Sequence, residues 1–425
     1  MKNTENYRNK KVIIVGLARS GVASANLLYG LGAKVSITDN QDNDAVRANA
    51  ARLKSNDIRL ELGAHTREFV KGNDLMIISP GVKNDAQPVI WAQELQIPVI
   101  SEIEFAADLC PGKIIAVTGS NGKTTVTTLI GKVIEAGMHH AFVCGNIGTP
   151  FSSLVDKMSD NDFVSLEVSS FQLEKISKFK PYIAVILNIT KNHLDRHKDM
   201  QEYLDAKKRI YMNQDDSDFL VLNSEDPILK DLAKEAKSKP VFFARSAGLN
   251  PNEAAVLAVG SILGASRDKI LKVFKDFQGL EHRMEFVAEI KKVRFVNDSK
   301  ATTADSAKWA LENLGCPVFL IAGGKDKGVD YGLIKEAARK KVKELILIGE
   351  AAGNIARALA GELKTEAAAT LDEAVRKAFS RASAGDCVLL SPMCSSFDMF
   401  TNYEERGKAF KDSVLKLAEE NKYGP

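Results

Sequence analysis

The stretch Ala116-Val117-Thr118-Gly119-Ser120-Asn121-Gly122-Lys123-Thr124-Thr125 constrains this chain more than any other. The apolar run Ile114–Val117 reads as a buried strand and Val126–Ala136 as the helix after it. Between them lies a glycine-bearing turn that ends in Lys-Thr. Such a turn aims successive backbone N–H groups and a helix N-terminus at one point, where the helix dipole favours negative charge. Lys123 would then reach the β- and γ-phosphates of a nucleotide, and the Thr124 hydroxyl would hold Mg2+. The spacing Gly119-x-x-Gly122-Lys123-Thr124 is shorter than the common form with four residues between the glycines. A plain Gly-rich turn before an ordinary helix is the competing reading. The strand before, the helix after and the Lys-Thr pair favour an ATP or GTP site.

At 425 residues the chain exceeds what one core usually covers, so two or three domains are expected. The net charge of +3 is spread along the chain, which argues against a nucleic-acid face. Five cysteines (Cys110, Cys144, Cys316, Cys387, Cys394) are odd in number and lack metal-ligand spacing, as expected in a reducing compartment. The start is polar, unlike a secretory signal, and no run approaches the ~18 apolar residues of a membrane span. A cytoplasmic monomer with neither nucleic-acid nor membrane partners is the expectation.

Before the phosphate loop, Lys11–Gly16 reads as a strand, followed by the turn Gly16–Gly21 and a helix over Val22–Leu31. Val35–Thr38 reads as a second strand and places Asp39 about 20 residues on, where a ribose-binding acid belongs. The glycines fit Gly-x-x-x-x-Gly and not Gly-x-Gly-x-x-Gly, so the spacing does not indicate NAD. Further strands at Asp74–Ser79 and Pro98–Ser101 complete a parallel, doubly wound first domain. In the second, strands Ala141–Cys144, Phe163–Val168 and Ala184–Ile189 each run into polar loops. Ligands of open α/β sheets gather at the carboxyl ends of strands, so Lys123, Asn146, Glu167 and His193 point at one crevice. Alone, Lys207 in the helix Met200–Asn213 reads as a surface lysine. The third domain repeats the scheme with strands Val293–Val296, Val318–Ala322, Glu344–Ile348 and Cys387–Leu390, which imply a second parallel sheet. The fold class is therefore α/β in three domains. A Rossmann-like domain spans 1–101, a P-loop ATPase-type parallel sheet 102–279, and a Rossmann-like α/β domain 280–425.

Thr118–Thr125, the stretch Glu167-Val-Ser-Ser-Phe-Gln-Leu-Glu174, Asn188–Arg196, His282-Arg283 and Asn297–Thr302 together resemble the Mur ligases of peptidoglycan synthesis. The Gly16–Ala25 turn and the stretch Ser391–Gly407 resemble the D-glutamate-adding branch of that family. The resemblance implies an ATP-dependent ligase that activates the carboxylate of UDP-N-acetylmuramoyl-L-alanine as an acyl phosphate and joins it to D-glutamate. It implies ATP contacts from Gly119, Ser120, Asn121, Gly122, Lys123, Thr124, Thr125, Arg283 and Asp298. Lys123, His193 and Lys207 become the catalytic group, with two Mg2+ sites drawn from Thr124, Glu167, His193 and Lys207. Lys207 corresponds to the lysine that the family carbamylates with CO2, which reverses the surface reading. Arg19, Ser20, Asp39, Asn146 and Ser169 would hold the UDP-linked substrate. Lys300, Thr302, Lys327, Ser396 and Tyr403 would hold D-glutamate, and domain closure would assemble the site.

Two departures stand out. Between the strand at Val241 and the helix at Asn252 the chain is shorter than the family pattern, and Glu253 replaces an Asn in the helix start, which puts adenine contacts there in question. Lys325 adds a cation next to Asp326 with no assigned role. The alternatives are a sister ligase, a folylpolyglutamate-type synthetase, a nucleotide-binding protein that has lost catalysis, or an NAD oxidoreductase resting on the first βαβ alone.

Overall fold

The computed structural model describes residues 1–146, 148–190, 198–246, 248–277, 279–326 and 328–422. They form two compact units, Met1–Asp276 and Phe277–Pro425. The first unit holds two sheets. Its N-terminal sheet has the order β3-β2-β1-β4-β5, built from β1 (Lys11–Val15), β2 (Lys34–Asp39), β3 (Arg59–Leu62), β4 (Leu75–Ile78) and β5 (Val99–Ser101). All pairings are parallel, with Val12 opposite both Val35 and Leu75. Strands buried on both faces must be apolar throughout, which is why Val-Ile-Ile-Val of β1 lies at the centre.

The second sheet of this unit has the order β11-β10-β9-β6-β8-β7, again all parallel. It comprises β6 (Lys113–Thr118), β7 (Ala141–Gly145), β8 (Phe163–Glu167), β9 (Ile183–Ile186), β10 (Phe219–Asn223) and β11 (Lys239–Phe243). Because β6 to β9 run the same way, Thr118, Gly145, Glu167 and Ile186 all end at one edge. The helix Lys123–Ala136 carries a buried stripe of Val126, Leu129, Ile130, Val133 and Ile134 at helical spacing. One hydrophobic core extends through both sheets, from Val12 and Ile14 to Leu220 and Leu222.

The second unit has the sheet order β12-β13-β17-β14-β15-β16. Its strands are β12 (Glu285–Ile290), β13 (Val293–Asn297), β14 (Val318–Gly323), β15 (Val342–Ile348), β16 (Thr365–Ala367) and β17 (Cys387–Leu390). The sheet is mixed and not purely parallel, which corrects the expectation for this domain: β12 pairs antiparallel with β13, while the rest pair parallel. The hairpin turns at Lys291 and Lys292, both at positive φ (49° and 64°). At the opposite edge, the loops after Asn297, Gly323 and Leu390 emerge together, since Asn297 and Ile321 are both in register with Leu390.

Candidate active site

In the phosphate loop, Gly122 has φ +83°, and a Cβ there would lie 2.4 Å from Asn252 Oδ1, so the backbone conformation and the close approach both require glycine. Asn188, just past β9, fixes the loop's shape. Its side-chain oxygen accepts from Asn121 N (2.9 Å), its amide donates to Asn121 O (3.1 Å), and its carbonyl accepts from Ser120 N (3.0 Å). Ser120 Oγ lies 3.1 Å from Tyr203 OH. Lys123 Nζ donates to the carbonyls of Gly119 and Ser120, both at 2.9 Å, so the ammonium is held over the loop that would receive phosphate.

Around this loop stand two buried oxygens with no hydrogen-bond partner among the described residues, Thr124 Oγ1 and Glu167 Oε2. The other oxygen of Glu167 accepts from Asn146 Nδ2 at 2.8 Å, which orients the carboxylate. Leaving such atoms unpaired costs about 1–3 kcal/mol each, a cost that a bound cation would offset. Hard oxygen donors of this kind fit Mg2+, which takes one or two protein ligands and completes its shell with phosphate oxygens and water. No group of three His, Cys, Asp or Glu converges among the described residues.

Lys207 is buried, not on the surface, at 1% exposure. Its Nζ donates to Gly119 O (3.0 Å) and Thr118 Oγ1 (3.2 Å) and lies 4.6 Å from the centre of the Tyr203 ring. Burial first, and then the charge of Lys123, hold its pKa well below the ordinary lysine value, against the pull of Glu167. Burial of this kind disfavours the charged ammonium relative to the neutral amine.

The helix Pro251–Ile262 begins beside this loop despite the short connection through residues 244–250. Asn250 caps it by accepting from Asn252 N and Glu253 N, and Glu253 Oε2 accepts from Asn250 N in return. Glu253 thus serves a capping box. Asn252, buried against Gly122, is a residue at the phosphate loop that local sequence reading left unassigned.

In the N-terminal sheet a cavity of about 610 Å³ opens at the carboxyl ends of β1, β2 and β4, where the strand order reverses. Ser20 and Asp39 line it, with Gly16, His65, Ser79 and Lys83. Asp39 accepts from Leu17 N (2.7 Å) and Gln41 N (3.0 Å), so the carboxylate shapes the turn as well as facing the cavity. Arg19 does not line this space. Its guanidinium donates to Gly148 O at 3.2 Å. Ser169 caps the short helix Ser170–Leu173 in a reciprocal pair with Gln172.

In the second unit, Asp298 accepts from Ser391 Oγ (2.9 Å) and Met284 N (3.2 Å), and burial pushes its carboxyl up to about 7. Arg283 Nε is buried without a partner among the described residues. Lys300 Nζ lies 4.9 Å from the Tyr403 ring, Ser396 is buried, and Thr302 N bonds to Lys300 O. Lys325 pairs with Glu350 at 2.6 Å, which gives the extra cation a local partner. Arg406, missed by sequence reading, is 1% exposed and donates to Ser299 Oγ (3.0 Å), Ser299 O (2.8 Å), Cys394 O (3.1 Å) and Ser395 O (3.3 Å). It ties the loop of Asp298 and Lys300 to the loop of Ser396. His193 and Lys327 lie outside the described residues.

Three family models cover most of the chain: a Mur ligase MurD-like N-terminal domain over residues 10–101, a Mur ligase middle domain over 117–289, and a Mur ligase glutamate ligase domain over 282–394. A UDP-N-acetylmuramoylalanine–D-glutamate ligase of Koribacter versatilis is 39% identical, covering 98% of this chain and 99% of its own. The ligase of the same name from Geotalea uraniireducens is 42% identical over 96% of this chain and 98% of its own. The first of these alignments runs over 450 positions, more than the 425 residues here, so that relative carries residues this chain lacks. Among solved structures, a MurF ligase of Thermotoga maritima in complex with ADP superposes with TM-score 0.59 at 16% identity, covering 98% of both chains. The UDP-N-acetylmuramate-alanine ligase of the same organism gives 0.58 at 17% identity, covering 96% of this chain and all of its own. These two share the fold. With models matched from residue 10 to residue 394 and relatives near 40% identity along almost the whole length, the chain belongs to the Mur ligase family.

Proposed function

We propose that this chain is the ATP-dependent ligase that joins D-glutamate to UDP-N-acetylmuramoyl-L-alanine. The observation that carries the reading is the pair of buried, unpartnered oxygens of Thr124 and Glu167 beside the Lys123 loop. It stands in a chain about 40% identical to enzymes named for that reaction.

The L-alanine carboxylate attacks the γ-phosphorus of ATP. An O–P bond forms, the bond to the β-phosphate oxygen breaks, and ADP leaves. The D-glutamate amine then adds to the acyl carbon, and the C–O bond to phosphate breaks as the amine gives up a proton. Phosphoryl transfer asks mainly for positioning and charge neutralisation. The Gly119–Thr125 backbone and Lys123 hold the phosphates, and Lys123 must leave the carbonyls of Gly119 and Ser120 to do so. Thr124 and Glu167, with His193, would hold Mg2+, which when bound neutralises developing phosphate charge. The lowered pKa of Lys207 favours addition to CO2, because only the unprotonated amine has the lone pair for it. The product would be a carbamate oxygen donor plus one proton, and the carbamate would offer Mg2+ a hard oxygen ligand where the lysine side chain offers none. Asn146 orients Glu167 and, with Ser169, Ser20, Asp39 and Arg19, serves the UDP-linked substrate. Arg283 and Asp298 serve the nucleotide. Lys300, Thr302, Lys327, Ser396 and Tyr403 serve D-glutamate. A three-part division at 101/102 and 279/280 is part of the proposal. No helix among the described residues is long and apolar enough to cross a membrane, and a monomer in the cytoplasm is part of the proposal.

Phosphate release from ATP in the presence of UDP-N-acetylmuramoyl-L-alanine, Mg2+ and bicarbonate tests the reading. Release that requires D-glutamate is expected. Release with another amino acid, or with a folate acceptor in place of the UDP substrate, would move the chain to another branch. ATP binding without turnover would mean that catalysis has been lost.

A further inference from the structure

Of the five cysteines, all but Cys316 are buried. Cys316 lies in the connection from the helix Ala304–Asn313 to β14, at the amino ends of the strands. The loops after Asn297, Gly323 and Leu390 emerge at the opposite edge. Strand register brings two further groups to Cys316. Cys387 opens β17 and stands opposite Arg294 of β13 on one side and Val318 of β14 on the other. Residues directly opposite in parallel strands project to the same face, as do residues two apart on one strand. Arg294 and Cys387 therefore share a face, and Cys316, two residues ahead of Val318, reaches it too. The packing agrees: Val318, Cys387 and Leu389 belong to one core cluster, and Cys316 packs against it. Arg294 Nη2 donates to Cys316 Sγ at 3.4 Å. Asp386, next to Cys387, is engaged elsewhere, by Lys343 Nζ (2.7 and 2.8 Å) and Ser383 N (2.8 Å).

A guanidinium hydrogen bond gains most from a sulfur that is ionised, and the thiolate is the form that reacts. Cys387 is the opposite case. Burial first, and then the neighbouring Cys316 sulfur, push its thiol up to about 12, so it keeps its proton. Two thiols beside a fixed cation do not suit a metal ion: Arg294 repels it, and no third His, Cys, Asp or Glu joins them among the described residues. We propose that Cys316 and Cys387 form a redox-active dithiol, a modification site for hydroperoxides at which Cys316 attacks and Cys387 resolves. The Cys316 thiolate attacks one peroxide oxygen. An S–O bond forms, the O–O bond breaks, and the sulfur is oxidised by two electrons to a sulfenic acid as hydroxide leaves. The Cys387 sulfur then displaces the sulfenic oxygen: an S–S bond forms, the S–O bond breaks, and the Cys387 proton leaves with that oxygen as water. The proton first lost from Cys316 neutralises the hydroxide, so two thiols and one hydrogen peroxide give one disulfide and two waters. The pair stands apart from the ligand sites proposed above and serves no step of the ligase reaction.

Peptide mass mapping of the folded full chain tests this, after hydrogen peroxide near neutral pH and blocking with N-ethylmaleimide. The parent should lose about 2 Da on oxidation, with Cys316 and Cys387 in one cross-linked peptide that dithiothreitol separates. Cys387→Ala removes the resolving sulfur, so dimedone should then label Cys316 as the trapped sulfenic acid. Adding Arg294→Gln to that variant should slow the labelling severalfold, whereas mere loosening of the strand ends would expose the sulfur and speed it. Cys387 is fully buried in β17; should Cys387→Ala fail to fold, the cross-link map of the parent decides the matter alone. A cross-link joining any other pair, dimedone on another cysteine, or a Cys316 that takes up as much N-ethylmaleimide after peroxide as before it overturns the proposal. Labelling at an unchanged rate in the Arg294→Gln variant overturns the part given to Arg294.

Discussion

Asp298 offers a quantitative test of how the second unit is built. Its carboxyl is 7% exposed and pushed up to about 7 from 3.8, because burial outweighs help from Ser391 Oγ, Met284 N and the Arg283 charge, in that order. A carboxyl raised in the folded state holds a proton that the unfolded chain has already released, so stability falls as pH rises. The loss starts near pH 3.8, grows through the interval up to 7, and is complete above it. Three units correspond to roughly 4 kcal/mol in full, of which under about 2 kcal/mol has accrued by pH 5. Asp298→Asn cannot ionise. Its side-chain oxygen can keep one of the two accepted bonds, and the price of the other is independent of pH.

The difference in unfolding free energy between Asp298→Asn and the parent should therefore grow in favour of the variant by roughly 2–3 kcal/mol from pH 5 to pH 8. Comparing the two at each pH cancels every other titrating group. The assay is urea unfolding followed by fluorescence in a Trp91→Phe background, which leaves Trp309, on the helix Ala304–Asn313 of the second unit, as the reporter. A difference that is the same at pH 5 and pH 8 would refute the claim that burial of this carboxylate dominates over its hydrogen bonds and Arg283. The strain has a use in the proposed function: an ionised, under-solvated carboxylate gains from a hydroxyl donor, such as that of a nucleotide ribose.

Three further outcomes are expected. Lys207→Met should abolish D-glutamate-dependent phosphate release. Intact-mass measurement of the parent in bicarbonate and Mg2+ should show one added CO2 that the variant lacks; equal mass in both conditions would remove the carbamate from the proposal. Gly122→Ala meets both a positive φ and Asn252 Oδ1, so it should weaken ATP binding at least tenfold with a strain of about 1–3 kcal/mol, read by calorimetry. Unchanged affinity would show that the loop does not need this shape. Arg406→Ala leaves the Ser299 and Cys394 carbonyls unpaired, while Ser395 O keeps the Lys325 backbone N–H, and should cost about 2 kcal/mol or more in urea unfolding, and Arg406→Lys, which keeps the charge but not the fork, should raise the KM for D-glutamate more than it changes the KM for ATP.

What could be read from the chain alone divides along physical lines. The Lys123 loop is legible because its chemistry is local: the same few residues make the turn, the helix start and the phosphate contacts. The β12–β13 hairpin is not, because tight hairpin turns advertise themselves through Asn-Gly or Asp-Gly, whereas here Lys291 and Lys292 take the positive φ angles and read as solvated charge. The edge strands β3 and β16 are short and exposed along much of their length, so no apolar run marks them. Lys207 shows the limit most sharply. Its helix, Met200–Lys208, is polar on average, with only Tyr203, Ala206 and Lys207 buried. Nothing in that local pattern separates Lys207 from Lys208, yet one is buried against Thr118 and Gly119 and the other pairs with Glu235 at the surface. The distinction comes from what the turn of another element, some ninety positions away, presents to each. Arg406 follows the same rule: it acquires a set of carbonyls from two loops. Residues that act through such partners are the ones whose roles only the folded chain discloses.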